Sequence, residues 1–191
     1  ERGGVDGEQH RRESLRFYED YVNGKLDVEE FLAFTLQPLA RHEMPQLLEW
    51  RNEFVEEKIR PIVLSKAINL VEEHRQSGDQ LMIITATNHF ITRPIADIFC
   101  IDTLLATMPE IVEEQFTGRY VGIPTFQKGK VQALSDWISI NGGTMEEATF
   151  YSDSHNDIPL LEKVAKPVAV DPDPQLREHA DKNNWQIITL R

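Results

Sequence analysis

The sequence predicts an α/β protein, with a parallel sheet covered on both faces and an all-helical unit at its N-terminal end. Three observations carry this. Residues 1–62 show helical periodicity and no strand pattern; from residue 63 onward, short apolar segments alternate with helical ones; and those apolar segments are nearly continuous rather than alternating. Strands that are apolar on both faces belong to parallel sheets sandwiched between helices. Pro61 breaks the helical pattern and places the boundary there, giving a helical cap over 1–62 and an α/β core over 63–191.

Each element has its own signal. Leu15, Tyr18, Tyr21 and Val22 recur at helical spacing, and Gly24 supplies a stop. Asp27 and Glu30 form a capping-box pattern ahead of Phe31, Leu32, Phe34 and Leu36. A third helix starts near Pro45 and runs to about residue 58. In the core the pattern predicts a helix over 65–78, a buried strand over 81–84, a short helix over 94–99 and a strand over 103–106. Residues 116–122 read as a small hairpin turning at Gly118. A helix over 129–141, a strand ending at Asp153, a helix from Ile158, a strand over 168–170, a helix after Pro174 and a strand over 186–190 complete the chain.

Composition narrows the function. At 191 residues, 40% hydrophobic and 27% charged, this is an ordinary globular protein. A formal net charge of −12, without a basic stripe, opposes nucleic-acid binding. Glu110, Glu113 and Glu114 read as a solvated face. No apolar run reaches the roughly 18 residues of a membrane span, and the N-terminus carries no secretory pattern. The single cysteine, Cys100, lies between Phe99 and Ile101 and reads as a core residue in a reducing, cytoplasmic setting.

Three places carry residues suited to chemistry. The strand Ile83-Ile84 ends in Thr85-Ala86-Thr87-Asn88, where a hydroxyl and free backbone N–H groups can hold phosphate oxygens. Lys128 and Lys130 open a helix, where a cation meets the positive end of the dipole unless an anion sits beside it. Tyr151-Ser152-Asp153-Ser154-His155-Asn156-Asp157 brings two acids to a strand tip, an oxygen-rich arrangement that suits Mg²⁺. Each has a plainer reading: a Thr-rich loop, a surface lysine and a helix N-cap.

Hydroxyl, lysine and paired acids in this order resemble the haloacid dehalogenase-like phosphatases, and most of all their phosphoserine-phosphatase-like branch. The resemblance covers nearly the whole chain, with Gly24-Lys25-Leu26-Asp27 onward similar to that branch's helical cap and the core to its Rossmann-like sheet. It implies a Mg²⁺-dependent phosphatase acting on a small phosphorylated metabolite. Thr85, Ala86 and Thr87 would bind the phosphoryl group with a lysine, Lys130 by the offsets of Leu134, Trp137 and Ile138, or else Lys128. Asp153 and Asp157 would serve the metal, supported by Ser154 and Asn156. Thr35 falls where the phosphoserine-specific members carry a carboxylate-reading arginine; Arg41, His42 or Arg60 would stand in for it, each with a solvated surface role as its plainer reading, and histidinol phosphate or a similar ester becomes as good a candidate.

The resemblance also implies an aspartate nucleophile on a first core strand preceding the cap, and no such motif stands upstream of Thr85. Asp171-Pro172-Asp173-Pro174 imitates it in the wrong place and reads as a strand exit and helix start. The expectation is therefore an N-terminally truncated phosphatase, inactive as this chain alone, with an inactive Mg²⁺- or phosphate-binding paralogue as the alternative. A response-regulator-like receiver shares the residue types, but its acids come early and it has no cap.

Overall fold

The computed structural model describes residues 7–191. The cap consists of α1 (Gly7–Val22), α2 (Val28–Leu36) and α3 (Met44–Phe54). Gly24, at φ +67°, ends the first helical path, and Lys25 N–H donates to the Asp20 carbonyl at 2.8 Å. The buried stripe of α1 is rotated from the expected one. Phe17 is buried, while Leu15, Tyr18 and Val22 are 56%, 66% and 43% exposed. The groove of α2 admits one stripe of α1, and the rings of Phe31 and Phe34 pack on Phe17 to fill it. Asp27 caps α2 by accepting from the Glu29 and Glu30 N–H groups. The return half of the capping box does not form, because the Glu30 carboxylate takes the Arg16 guanidinium at 2.7 and 3.1 Å. A bidentate charged pair is stronger than one bond to a backbone amide. Beyond α3 the chain tightens through a π turn over 55–59 and a 3₁₀ turn over 60–62, at Pro61.

The core then alternates: α4 (Ser65–Gln76), β1 (Met82–Asn88), α5 (His89–Ile98), β2 (Thr103–Val112), β3 (Gln115–Val121), α6 (Lys128–Asn141), β4 (Thr149–Ser152), α7 (Ile158–Leu161), β5 (Lys166–Val170), α8 (Pro174–Asn183) and β6 (Gln186–Ile188). β1 pairs parallel with β2, and β2 antiparallel with β3. β4, β5 and β6 form a second, all-parallel sheet. Among the described residues β1 and β4 share no ladder. Helix α6 spans the two sheets: Leu134 belongs to a cluster that takes Met82, Ile84 and Leu105 from one and Phe150 from the other. No helix of the described residues is long and apolar enough to cross a membrane.

Four local readings are corrected. The hairpin turns at Glu113-Glu114, with φ of 49° and 64°, and Gly118 lies inside β3. Positive φ at both central positions is the type I′ loop, whose twist matches that of the flanking strands. Gly118 holds φ +80° within the strand, a conformation that side chains rarely adopt, and lies close against Gln37 of the cap. Glu113 and Glu114 are exposed, as expected of a solvated face, but Glu110 is half-buried and paired, accepting from Thr117 Oγ1 at 2.6 Å and Arg119 Nε at 2.9 Å. Cys100 is exposed, in the left-handed turn after α5, rather than in the core. Finally, β1 continues to Asn88, whose side chain caps α5 through Ile91 N–H, so that helix starts well before Pro94. Pro94 has no N–H for the Phe90 carbonyl four residues back, and Arg51 Nη1 donates to it instead, at 3.2 Å.

Candidate active site

The tip of β1, the start of α6 and the tip of β4 meet in one cavity of about 410 Å³ under the cap. Thr85, Ala86 and Thr87 enter it from β1, Lys130 from α6, and Asp153, Ser154 and Asp157 from the loop after β4. Tyr21, Leu26, Val28, Phe31 and Leu32 of the cap face them. Loops at strand ends are where open α/β sheets gather ligands.

Lys130 and Asp157 are buried together, 7% and 8% exposed, with Nζ 2.6 Å from Oδ1. The other Asp157 oxygen accepts from Ser152 Oγ at 2.7 Å, so neither carboxylate oxygen is without a partner. Lys128, two residues earlier, is exposed and lines no part of the cavity. Lys130 owes its place to a tight approach before α6. A Cβ on Gly129 would fall 1.9 Å from the Pro124 carbonyl oxygen, and Gln127 adopts φ +46°. The same loop is tied to β1 through Thr107, whose hydroxyl donates to the Ala86 carbonyl and accepts from Thr125 N–H.

Asp153 presents an exposed carboxylate to the cavity from the end of β4. No group of three or more His, Cys, Asp or Glu side chains forms a ready metal cage among the described residues. That donor set fits Mg²⁺, which binds through one or two carboxylates and completes its shell with water and substrate phosphate. It does not suit a soft or tetrahedral metal.

The cap is fastened to the acid loop. The hydroxyls of Tyr21 and Ser154 share a hydrogen bond of 2.5 Å, and Asn156 Nδ2 donates to the Tyr21 carbonyl. Burial pushes the Tyr21 phenol up, more than the bond to Ser154 brings it down, so the phenol keeps its proton. Gln127 Nε2 in turn donates to Asn156 Oδ1 at 2.9 Å. One oxygen of Asp173 takes both the backbone N–H and Nδ1 of His155, and the other caps α8 through Leu176 N–H. This bears out the reading of Asp173-Pro174 as a helix start.

Burial alone would raise the Asp173 carboxyl, but the hydrogen bonds from Leu176 and His155 outweigh it and hold it below the usual carboxylate range. A carboxyl lowered on folding stabilises the fold above its unfolded value and loses that contribution as pH falls through the lowered one. Melting temperature is therefore expected to drop as pH falls below about 4, and Asp173→Asn should flatten that part of the curve. An unchanged acid limb in the variant would contradict the assignment.

The family model for haloacid dehalogenase-like hydrolases matches residues 2–162. The chain belongs to that family. A histidinol-phosphatase of Neisseria meningitidis serogroup C is 37% identical, covering 100% of this chain and 87% of that protein. A putative hydrolase of Mycobacterium leprae is 34% identical over 88% of the chain, which spans only 57% of that relative. Among solved structures, a protein of unknown function from Bordetella pertussis Tohama I superposes with a TM-score of 0.91 at 40% identity, over 98% of this chain and 86% of that one. A phosphoserine phosphatase trapped as a phospho-aspartyl intermediate analogue shares the fold, with a TM-score of 0.68 at 20% identity, over 94% and 80%.

For this haloacid dehalogenase-like hydrolase, the candidate specificity residues separate in space. Thr35 lines a neighbouring cap cavity, with its hydroxyl turned back to the Phe31 and Leu32 carbonyls. Arg41 and Arg60 are exposed and line neither cavity, and Arg60 pairs with Glu56 at 2.6 Å. Tyr21, Ser152 and Phe126 are site residues that the sequence reading did not single out. Tyr21 carries only a helical-stripe signal, and nothing local marks its hydroxyl as a tether.

Proposed function

We propose that this chain belongs to a Mg²⁺-dependent phosphomonoester hydrolase acting on a small phosphorylated metabolite through an aspartyl-phosphate. The observation that carries this is the convergence of a buried lysine, a free strand-tip carboxylate and a hydroxyl-bearing strand end on one capped cavity. Phosphoryl transfer asks the protein mainly for positioning and charge stabilisation.

Thr85 Oγ1 accepts from Thr87 N–H at 3.1 Å, which leaves its own proton to donate to a phosphoryl oxygen. Lys130 neutralises the phosphoryl charge, and Asp157 with Ser152 holds the ammonium in place before substrate arrives. Asp153 would hold Mg²⁺, which when bound supplies further positive charge at the phosphate. Asn156 and Ser154 set the shape of the acid loop and its distance from the cap. Apolar cap residues Leu26, Val28, Phe31 and Leu32 line the same cavity, and the lower local dielectric they bring strengthens each of these charges. An aspartyl-phosphate requires an attacking carboxylate besides Asp153, given to the metal, and Asp157, held by Lys130 and Ser152. The second reading is a protein that binds Mg²⁺ and phosphate without turnover, since Thr85, Lys130 and Asp153 would hold both ligands without performing chemistry.

Histidinol phosphate is the substrate to try first, given the Neisseria relative. The test is Mg²⁺-dependent release of phosphate by the full-length protein. Asp153→Asn is expected to lower it at least about 100-fold. Full activity in that variant would overturn the metal assignment, and Mg²⁺ binding without any turnover would select the second reading.

A further inference from the structure

The two arms that would grip a phosphoryl group come from separate parts of the core, the end of β1 and the start of α6, and one buried hydroxyl joins them. We propose that Thr107 is a positioning residue, whose hydroxyl sets the spacing between the end of β1 and Lys130 although its side chain lines no part of the cavity. The proposal rests on the phosphomonoesterase reading and adds a residue to the same site.

The need for such a residue begins with an irregularity in the sheet. Strand β1 pairs with β2 regularly as far as Thr85, opposite Ala106, and then Asn88 rather than Ala86 stands opposite Thr107. Ala86 and Thr87 are thus extra residues that bulge from the ladder, and both line the cavity. A bulge re-aims a strand next to a site, at the cost of backbone groups that must find other partners. Thr107 Oγ1 donates to the Ala86 carbonyl at 3.0 Å and so pins the bulge. The same oxygen accepts from Thr125 N–H at 3.2 Å. A carbonyl only accepts and an amide only donates, so the direction of both bonds is fixed.

From Thr125 the chain reaches Lys130 through a run of short bonds. Phe126 N–H donates to the Pro124 carbonyl at 2.8 Å, Gly129 N–H to the Phe126 carbonyl at 2.7 Å, and Lys130 N–H to the Gln127 carbonyl at 3.0 Å. A shift at Thr125 therefore passes to the first turn of α6. Thr107 and Thr125 are 1% and 2% exposed, so bulk water does not reach either bond. Packing alone would be served as well by valine, which is at home in a strand. Valine would instead leave a buried carbonyl and a buried amide without their partner, a strain relieved by parting the two arms. Asp157 holds the lysine from the β4 side, and Thr107 sets its distance from β1.

The test places Thr107→Val beside Thr107→Ser in the full-length protein with Mg²⁺. Valine keeps the bulk and loses the hydroxyl; serine keeps the hydroxyl and loses the methyl group. The readouts are kcat and KM for p-nitrophenyl phosphate, the inhibition constant of inorganic phosphate, and melting temperature. Both variants should melt lower than the unmutated protein. Only valine is expected to weaken phosphate inhibition and to lower kcat, each by at least about tenfold. An inhibition constant does not depend on how much of the protein is folded. Thr107→Cys, with a weak S–H donor in place of O–H, should lie between the two and serves if the valine variant does not fold. An unchanged phosphate constant in Thr107→Val, or equal losses in the valine and serine variants, would overturn the proposal. If no ester is hydrolysed, the hydrolase reading fails by itself, and binding of inorganic phosphate is measured by calorimetry. Weaker binding in Thr107→Val than in Thr107→Ser would then uphold the role of the hydroxyl; equal binding, or none in the unmutated protein, would remove it.

Discussion

Lys130→Ala is expected to remove activity and to cost about 3–5 kcal/mol of stability, the range for breaking one side of a buried ion pair. Both partners are almost wholly enclosed, and Asp157 would be left with only the Ser152 hydroxyl. Two causes of inactivity, lost charge at the phosphate and a collapsed loop, must then be told apart. Lys130→Met combined with Asp157→Leu does so. Apolar replacement of both members of a buried pair is often neutral or stabilising, so the double variant should regain most of the melting temperature yet stay inactive. Thermal denaturation and phosphate release together provide the check. A double variant that recovered activity would mean Lys130 serves the fold alone. Lys128→Ala, by contrast, should leave stability within about 0.5 kcal/mol, as for other exposed positions.

Gly129→Ala carries the second large effect. Alanine is ordinarily a better helix residue than glycine, so local propensity forecasts stabilisation. The close approach of the Pro124 carbonyl, 1.9 Å from the added Cβ, forecasts the reverse. Backbone cannot yield as the end of a flexible side chain can, and overpacking of this kind costs about 1–3 kcal/mol. The first turn of α6 would have to move, taking Lys130 with it. A lower melting temperature is expected, along with a kcat reduced by at least about tenfold, because a displacement of the order of an ångström at a positioned group is costly. If Gly129→Ala were more stable and fully active, the tight loop would not be what places the lysine.

How far this was legible in the sequence depends on the range of the interactions involved. The strand–helix alternation and the three chemical segments were readable, because apolar runs and their flanking small or acidic residues are local signals. The choice of Lys130 over Lys128 rested on the offsets of Leu134, Trp137 and Ile138; Leu134 and Ile138 pack into the cluster of α6, and Trp137 is not part of it. Other features needed a partner distant in the chain. Phe17 rather than Tyr18 is buried because of where α2 lies. Gly118 resembled a turn because a lone glycine does not show whether its positive φ serves a turn or, as in β3, the inside of a strand. Glu113-Glu114 hid a turn, since two glutamates do not announce positive φ. Tyr21 meets Ser154 across 133 positions, a distance over which no periodicity speaks.

Helix α6 has a bearing on how this protein tolerates change. The lysine at its start and the leucine that seals both sheets are a single turn apart, Lys130 and Leu134. A drift in the greasy side of that helix would therefore shift the spacing between Thr85 and Asp153, which come from opposite banks. In a saturation scan scored for turnover, Val131, Leu134 and Ile138 should rank with the polar groups they never touch. Lineages retuning this enzyme would be free to vary the cap rings long before they could alter that one span.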